Sequence, residues 1–502
     1  MDASESGCLP ASPDPVPDGE PIVVYLRPYT EPFTVGQIPA SWWKNPPYPD
    51  PSWQLALRGF SWVQPLAQRA FQDGQYRSLS ALMYQVIAFN TQNPDPGTAQ
   101  YGWDEGTALR RLETLNCLYW LARAAGLSYG HLSGSMNDNV AVQFGPRYYG
   151  PPYRQVHNHG LMANVRVLRA GVLRNVASWR TKAMDRMSAE APLAWSSRGV
   201  SWEQSSTYHK VNIDLWDGAA AAIAAQVPSS TTPATIRRHT GRAKIAFQWM
   251  TEPDGNIVKI GDSDDQAGTP NPRNYATAFR DDQAGWVIGR WSWSDPRTTY
   301  YALRYGPPRR AHGHQDRPCV TFTTMGVRVL VGVGRYTYDT ASPWYTWQIS
   351  PVGQNCSYTD TTLATSRGVT VTGAKVQTTA HAWSTTDTLF GGRTHTRTIN
   401  VNGSTHSMRV IDAYTGTGTH RQSYHLDPAW QLVSKSSQII RFSHPDGRSL
   451  RIITSGAVSS VVRGLTNPIA GWVFPRRANR TAAYQVFLRS NTTRLDTTLT
   501  VT

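Results

Sequence analysis

The chain has 502 residues, more than a single hydrophobic core accommodates, so two domains are the default. Hydrophobic residues make up 40%, with 19 Trp and 23 Tyr, which excludes a disordered chain, and no run nears the ~18 apolar residues of a membrane helix. The formal net charge of +15 is carried almost entirely by arginine, whose planar fork binds carboxylate or sulfate through two parallel hydrogen bonds and favours a polyanionic partner.

In chain order, the first segment, "MDASESGCLPASPDPVPDGEP", has neither a basic n-region nor an apolar h-region. Rich in Pro, Asp and Ser, residues 1–22 read as a mobile tail. Helical signals follow. "QPLAQRAF" and "LSALMYQVIAFN" precede the breaker "NPDPG". Leu109, Leu112, Leu115, Tyr119 and Ala122 recur at three and four, with Gly126 as the stop. Leu161, Val165, Leu168 and Val172 repeat the pattern. Helices are thus expected over about 50–250. The character changes near "PDGNIVKIGDSDDQAGTPNPRN". Beyond it, "RTTYYALRYG", "VRVLVGVGRYTY", "GVTVTGAKVQ", "RSLRIITSG" and "AAYQVFLRS" are short, β-branched and aromatic. Val327, Val329, Val331 and Val333 alternate along one of them with a strand period of two. Helices followed by a run of strands predict a helical domain over 23–265 and a separate β domain over 266–502.

The four cysteines, Cys8, Cys117, Cys319 and Cys356, lie far apart with no CxxC, against zinc ribbons and thioredoxin-type chemistry. Cys117, in an apolar helical stretch, reads as a buried thiol. Basic residues are dispersed, without a Lys/Arg-rich run, which argues against nucleic acid and leaves an acidic polysaccharide.

Three polar groups are candidates for chemistry. In "QVHNHG", His157, Asn158 and His159 stand before an amphipathic helix, where they bind an anion or simply cap the helix. "SWEQSSTYHK" carries Glu203, Tyr208 and His209, a proton-transfer set or a polar turn. In "RAHGHQD", His312, His314 and Asp316 share one face if the segment is a strand, as metal ligands, catalytic groups or a plain polar face.

Taken in order, these pieces resemble the heparinase II/III-type polysaccharide lyases and the related alginate and oligoalginate lyases. "PSWQLALRGFSWVQPLAQRAF", "YGWDEGTALRRLETL", "NHG", "EQSSTYH", "PDGNIVKIGDSDD", "HGHQD" with "VLVGVGRYTY", and finally "MRVIDAY" and "YHLDPAW" carry the resemblance over roughly residues 40–460. It implies an incomplete (α/α) toroid followed by an antiparallel β-sandwich. It also implies β-elimination on a uronic-acid polysaccharide, which needs carboxylate neutralisation, a base at C5 and an acid at the leaving oxygen. By motif, Asn158 and His159 hold the carboxylate, Tyr208 transfers the proton and His312 joins them. A second tyrosine is Tyr345 or, less favoured, Tyr338. Arg110, Glu203, His209 and Trp103 are the expected substrate-binding or supporting residues.

The family's zinc site is expected to be lost, and no cofactor is implied. The second histidine of HxH is His314, but Gly332 stands where the family has Asp, and Gln354 where it has His. Cys319 and Cys356 lie just beyond the two strands that zinc links, which suggests a disulfide in its place. A lyase of this type acts outside the cytosol, secreted or periplasmic. Two other readings stand beside it: a retired lyase fold that binds acidic polysaccharide, and a glycoside hydrolase on a toroid, using carboxylates such as Asp104, Glu105 and Glu203.

Overall fold

The computed structural model describes residues 8–26, 31–97, 100–145, 158–271, 274, 276–416 and 418–502. Two compact units emerge: residues up to Ala194 with Leu215–Arg238, and Trp195–Asp214 with His239–Thr502. The first is helical, as the periodicity predicts. Its helices run Pro51–Gly59, Val63–Gln72, Tyr76–Gln92, Glu105–Ala124, Gly130–Phe144, Asn158–Leu173 and Ala177–Glu190. Two more, Ser206–Gln226 and Thr232–Trp249, cross the unit boundaries.

Glu105–Ala124 shows why a helix starts and stops where it does. The Asp104 carboxylate caps it by accepting from Thr107 N. Leu109, Leu112, Leu115 and Leu118 are fully buried. The chain leaves at Gly126 with φ of +69°, a conformation that costs glycine least. Its N-cap duty takes Asp104 out of the paired-carboxylate reading.

The amino-terminal segment is not the free tail that its composition suggests. Val16 is 1% exposed, the Ser78 hydroxyl donates to Pro17 O, and Cys8 is disulfide-bonded to Cys117. Cys117 is therefore no buried free thiol. An apolar anchor, a hydrogen bond and a covalent tie outweigh a polar composition.

The second unit holds antiparallel sheets. Five strands, Ala278–Asp281, Trp286–Arg290, Tyr300–Arg304, Cys319–Thr324 and Val327–Leu330, pair in sequence order. An eight-stranded sheet includes Thr370–Val376, Ala380–Asp387, His395–Asn402, Ser407–Tyr414 and Arg494–Val501, and a four-stranded sheet includes His420–His425 and Tyr484–Ser490. Burial alternates strictly along Ala380–Asp387 and His395–Asn402, so each gives one face to the core. Val287, Tyr301 and Phe322 of the first sheet share that core with Trp383, Ile399 and Val410 of the second and Val486 of the third. A second core explains why the chain from His239 belongs here: Ala246, Trp249, Met250 and Val258 pack against Phe279, Trp286, Ile288 and Tyr300.

Inside the sandwich lies a charged network with no exposed member. His395 bonds Asp387 and Asp412 at 2.8 Å each, and Arg397 Nε donates to Asp412 at 2.8 Å. Burial depresses the imidazole pKa, but the two carboxylates overcome that and hold it up at about 9. Arg397 Nη1 also donates to Pro318 O and Asn355 O, the residues just before Cys319 and Cys356. Those two cysteines are disulfide-bonded.

Two local expectations need correction. The strand from Val327 stops at Leu330; Val331–Asp339 is irregular. "HGHQD" is likewise a loop before the strand at Cys319. Gln204 replaces ladder partners there: its Nε2 donates to Pro308 O and its Oε1 accepts from Arg310 N.

Candidate active site

The helical unit and the sheet unit each carry part of the predicted set. In the helical unit Asn158 and His159 open the helix Asn158–Leu173. Asn158 Oδ1 accepts from His159 N at 2.8 Å, and His159 Nδ1 lies 3.6 Å from Glu105 Oε1. His157 lies outside the described residues. His159, Glu105, Arg58 and Arg110 line a cleft of about 480 Å³. Burial lowers the pKa of both arginines, that of Arg110 further through neighbouring Arg166. Trp103 does not join them. It is 2% exposed, donates through Nε1 to Asn93 O and stacks on the Arg111 guanidinium, so it is a core residue and not a substrate contact.

The sheet unit builds the second group around His312. The helix beginning at Ser206 supplies Tyr208, whose ring stacks on the His312 imidazole with centroids 3.3 Å apart and planes 7° off parallel. The Tyr208 hydroxyl is 2.9 Å from that of Tyr338, which is 3.4 Å from His312 Nδ1. His312 Nδ1 donates to Asp262 Oδ2 at 3.0 Å, while Nε2 is 3.7 Å from Glu203 Oε2. Arg335 donates to the Tyr338 oxygen at 2.7 Å and pairs with Asp264. Burial, with Asp262 nearby, raises Tyr338 above its ordinary range, so its hydroxyl stays protonated and has a hydrogen to offer.

Of the two tyrosines, it is Tyr338 and not the favoured Tyr345 that lies beside Tyr208 and His312. The Tyr345 hydroxyl accepts from Arg309 Nη2 at 2.9 Å and reaches neither Tyr208 nor His312 in any bond among the described residues. His209 is not a substrate group either. It is 1% exposed, its Nδ1 accepts from Ser201 N, its Nε2 donates to Ala243 O, and burial drops its pKa to about 4. Glu203, 6% exposed, lies beside His312, a place that suits the supporting role. Asp262, from the "GDSDD" stretch, and Arg335 were missed by motif reading. Asp262 had a signal, a carboxylate in a Gly- and Ser-flanked turn; Arg335 had none.

The residues at the expected zinc positions do not form a zinc set. A Cβ on Gly332 would stand 1.8 Å from Lys259 O, so no carboxylate fits there. Gln354 Nε2 donates to His314 Nδ1 at 3.0 Å, and His314 Nε2 donates to Asp262 Oδ1 at 2.9 Å. Both ring nitrogens are thus committed to protein partners. Asp316 turns away into a buried cluster with Arg304 and Arg317.

Known proteins give the family and the fold. The heparinase II/III N-terminus model matches residues 27–285. Among solved structures, a heparinase III is similar with a TM-score of 0.71 at 14% identity, covering 95% of this chain and 82% of its own. A heparan sulfate lyase of Pedobacter heparinus, described as a mutant, gives 0.68 at 16%, covering 100% and 86%. The chondroitin AC lyase of Streptomyces coelicolor A3, solved with chondroitin sulphate, gives 0.54 at 12%, covering 90% and 75%. No curated protein matches the chain in sequence. The shared fold is the (α/α) toroid followed by an antiparallel β-sandwich.

Proposed function

The chain belongs to the heparinase II/III family, and from that premise we propose that it is a polysaccharide lyase cleaving a uronic-acid polymer by β-elimination. The observation that carries this reading is the Tyr208–Tyr338–His312–Asp262 constellation. In the reaction a base removes the C5 proton. The electron pair forms the C4–C5 double bond, the C4–O bond breaks, and the leaving oxygen takes a proton.

Tyr208 delivers that last proton. Arg335 places an N–H on the Tyr338 oxygen, and Tyr338 then points its own hydrogen at Tyr208, which steadies the phenolate that forms. Asp262 keeps the hydrogen of His312 on Nδ1, leaving Nε2 as the exchangeable position. Asn158 and His159 are proposed to neutralise the uronate carboxylate, and Arg110 to bind the chain.

No metal has a step in this reaction. Gly332 closed by a carbonyl, and His314 held by Gln354 and Asp262, support a metal-independent enzyme. The two disulfides support action in a secreted or periplasmic setting, where such bonds persist. The test is a panel of acidic polysaccharides, read by the ultraviolet absorbance of an unsaturated uronate, with chelator present and with Tyr208→Phe as control. Product that survives chelator and vanishes in the variant supports the reading. Binding to one polymer without product from any favours the retired lyase.

A further inference from the structure

Between Pro428 and Thr502 the chain carries ten arginines and lysines against two carboxylates, Asp446 and Asp496. Both carboxylates are already taken. Asp446 pairs with Arg448 and His444, and Asp496 accepts from Arg409 Nε at 2.9 Å and Nη2 at 2.6 Å. The cations of this stretch therefore exceed what its own acids neutralise.

The excess takes a definite shape on two neighbouring strands, Ile439–Ser443 and Ser449–Thr454. They pair antiparallel, with Ser443 opposite Ser449, Arg441 opposite Arg451 and Ile439 opposite Ile453. Ile440, Phe442, Leu450 and Ile452 enter the core, so those three pairs share the other, solvent-facing side. That side carries a hydroxyl rung, a cation rung and an apolar rung, each about 7 Å from the next. Opposed residues have Cβ atoms about 5 Å apart, and like charges placed there repel. Arg441 and Arg451 nevertheless face each other, both exposed, and neither guanidinium has a hydrogen bond, ion pair or ring contact among the described residues. The register adds Ser434 beside Arg441 and Thr500 beside Arg451, and no carboxylate. Two strands away, the same side shows an arginine that serves stability: Arg409 grips Asp496 with two nitrogens.

We propose that the Arg441–Arg451 rung is an accessory docking site for an acidic polysaccharide. The two guanidiniums take one sulfate or carboxylate between them, Ile439 and Ile453 carry the C–H face of a sugar ring, and the serines meet its hydroxyls. The bound anion cancels the repulsion that the bare rung suffers. None of these side chains contacts Tyr208, Tyr338 or His312 in any bond or ring stack among the described residues. The site therefore tethers a chain and takes no part in cleaving it, and a tethered polymer meets the reacting group at a raised effective concentration. The identity of the polymer rests on the lyase reading, but the content of the proposal is equilibrium binding.

The test uses the full chain carrying Tyr208→Phe, so that the probes stay intact. Calorimetric titration compares a heparan sulfate octasaccharide with an unsulfated heparosan octasaccharide. The Arg441→Gln, Arg451→Gln double variant is expected to lose one binding site per chain, weakened by about tenfold or more, the scale of charge-assisted hydrogen bonds. Loss confined to the sulfated probe assigns sulfate; loss on both assigns carboxylate. Arg451→Glu sets a carboxylate opposite Arg441. It is expected to lose the same site while its melting temperature holds or rises, because a repulsive rung becomes an ion pair. A lowered melting temperature with binding unchanged makes the arginines structural and overturns the proposal. Unchanged stoichiometry and affinity in the double variant, or no binding of either probe by the parent, also overturns it. Arginine-dependent binding by a protein whose Tyr208 form yields no product keeps the docking site and removes the lyase reading. Product formation with binding indifferent to both arginines does the reverse.

Discussion

Replacing Asp262 by Asn keeps the shape of the side chain and removes its charge. The native carboxylate takes the Nδ1 hydrogen of His312 and the Nε2 hydrogen of His314, at 3.0 and 2.9 Å. Burial pushes its pKa up, but those two bonds overcome burial and bring it from 3.8 down to about 2. At 1.36 kcal/mol per unit the difference amounts to about 2–3 kcal/mol of stability. A depressed carboxylate contributes this fully above its unfolded value near 3.8 and loses it as pH falls through about 2. An amide has one acceptor oxygen, and its NH₂ meets a histidine N–H, so one of the two contacts fails. Urea denaturation is expected to show Asp262→Asn less stable by about 2–3 kcal/mol at pH 7, with the gap closing toward pH 2. Nitrogen-15 spectra of the wild type are expected to show His312 protonated at Nδ1. A variant within ~0.5 kcal/mol of wild type at pH 7, the range of an ordinary surface substitution, would refute this account of Asp262. A gap that persists unchanged at pH 2 would do the same.

Tyr208→Phe is expected to lower kcat by about 10²–10⁴, the span of a positioned proton donor, in a lyase assay. Tyr338→Phe is expected to lower it by less, and Tyr345→Phe to leave it near wild type; equal losses for Tyr338 and Tyr345 contradict the assignment. Cys319→Ser with Cys356→Ser opens a loop of separation 37 and is expected to cost about 3–4 kcal/mol, measured by denaturation beside a thiol count by mass spectrometry. His395, held at about 9 between Asp387 and Asp412, stabilises the sandwich fully below about pH 6.5 and loses that contribution as pH rises through about 9. Melting temperature is expected to fall across that window in wild type and to lose this dependence in His395→Gln. Gly332→Asp with Gln354→His, offered as a restoration of zinc ligands, is expected to unfold the local structure and bind no zinc, because the new Cβ meets Lys259 O. Tight stoichiometric zinc by calorimetry contradicts that.

What the sequence disclosed followed periodicity. The leucines of Glu105–Ala124 and the β-branched runs of Thr370–Val376 and Ser449–Thr454 are local patterns, and local patterns survive into elements. Tyr338 and Tyr345 were inseparable for the opposite reason. The chain between Leu330 and the helix Pro343–Ile349 has no regular element, so no period says which hydroxyl turns toward Tyr208. Trp103 and His209 carried motif neighbours' colour but were drawn into cores, where Asn93 O and Ala243 O satisfy their N–H groups. Cys8 and Cys117 are distant in sequence and Cys8 adjoins no motif, so only three dimensions could pair them.

The two disulfides also bear on how the chain matures. Four cysteines permit three pairings, and the one observed joins first to second and third to fourth. Each bridge closes within its own compact unit, and the loops do not interleave. During synthesis, Cys8 can find Cys117 and be sealed before Cys319 has been made. The later pair then meets no competing thiol. A chain that folds from its amino end as it emerges needs no reshuffling to arrive at this pairing, whereas refolding from the reduced, full-length state exposes all three choices at once.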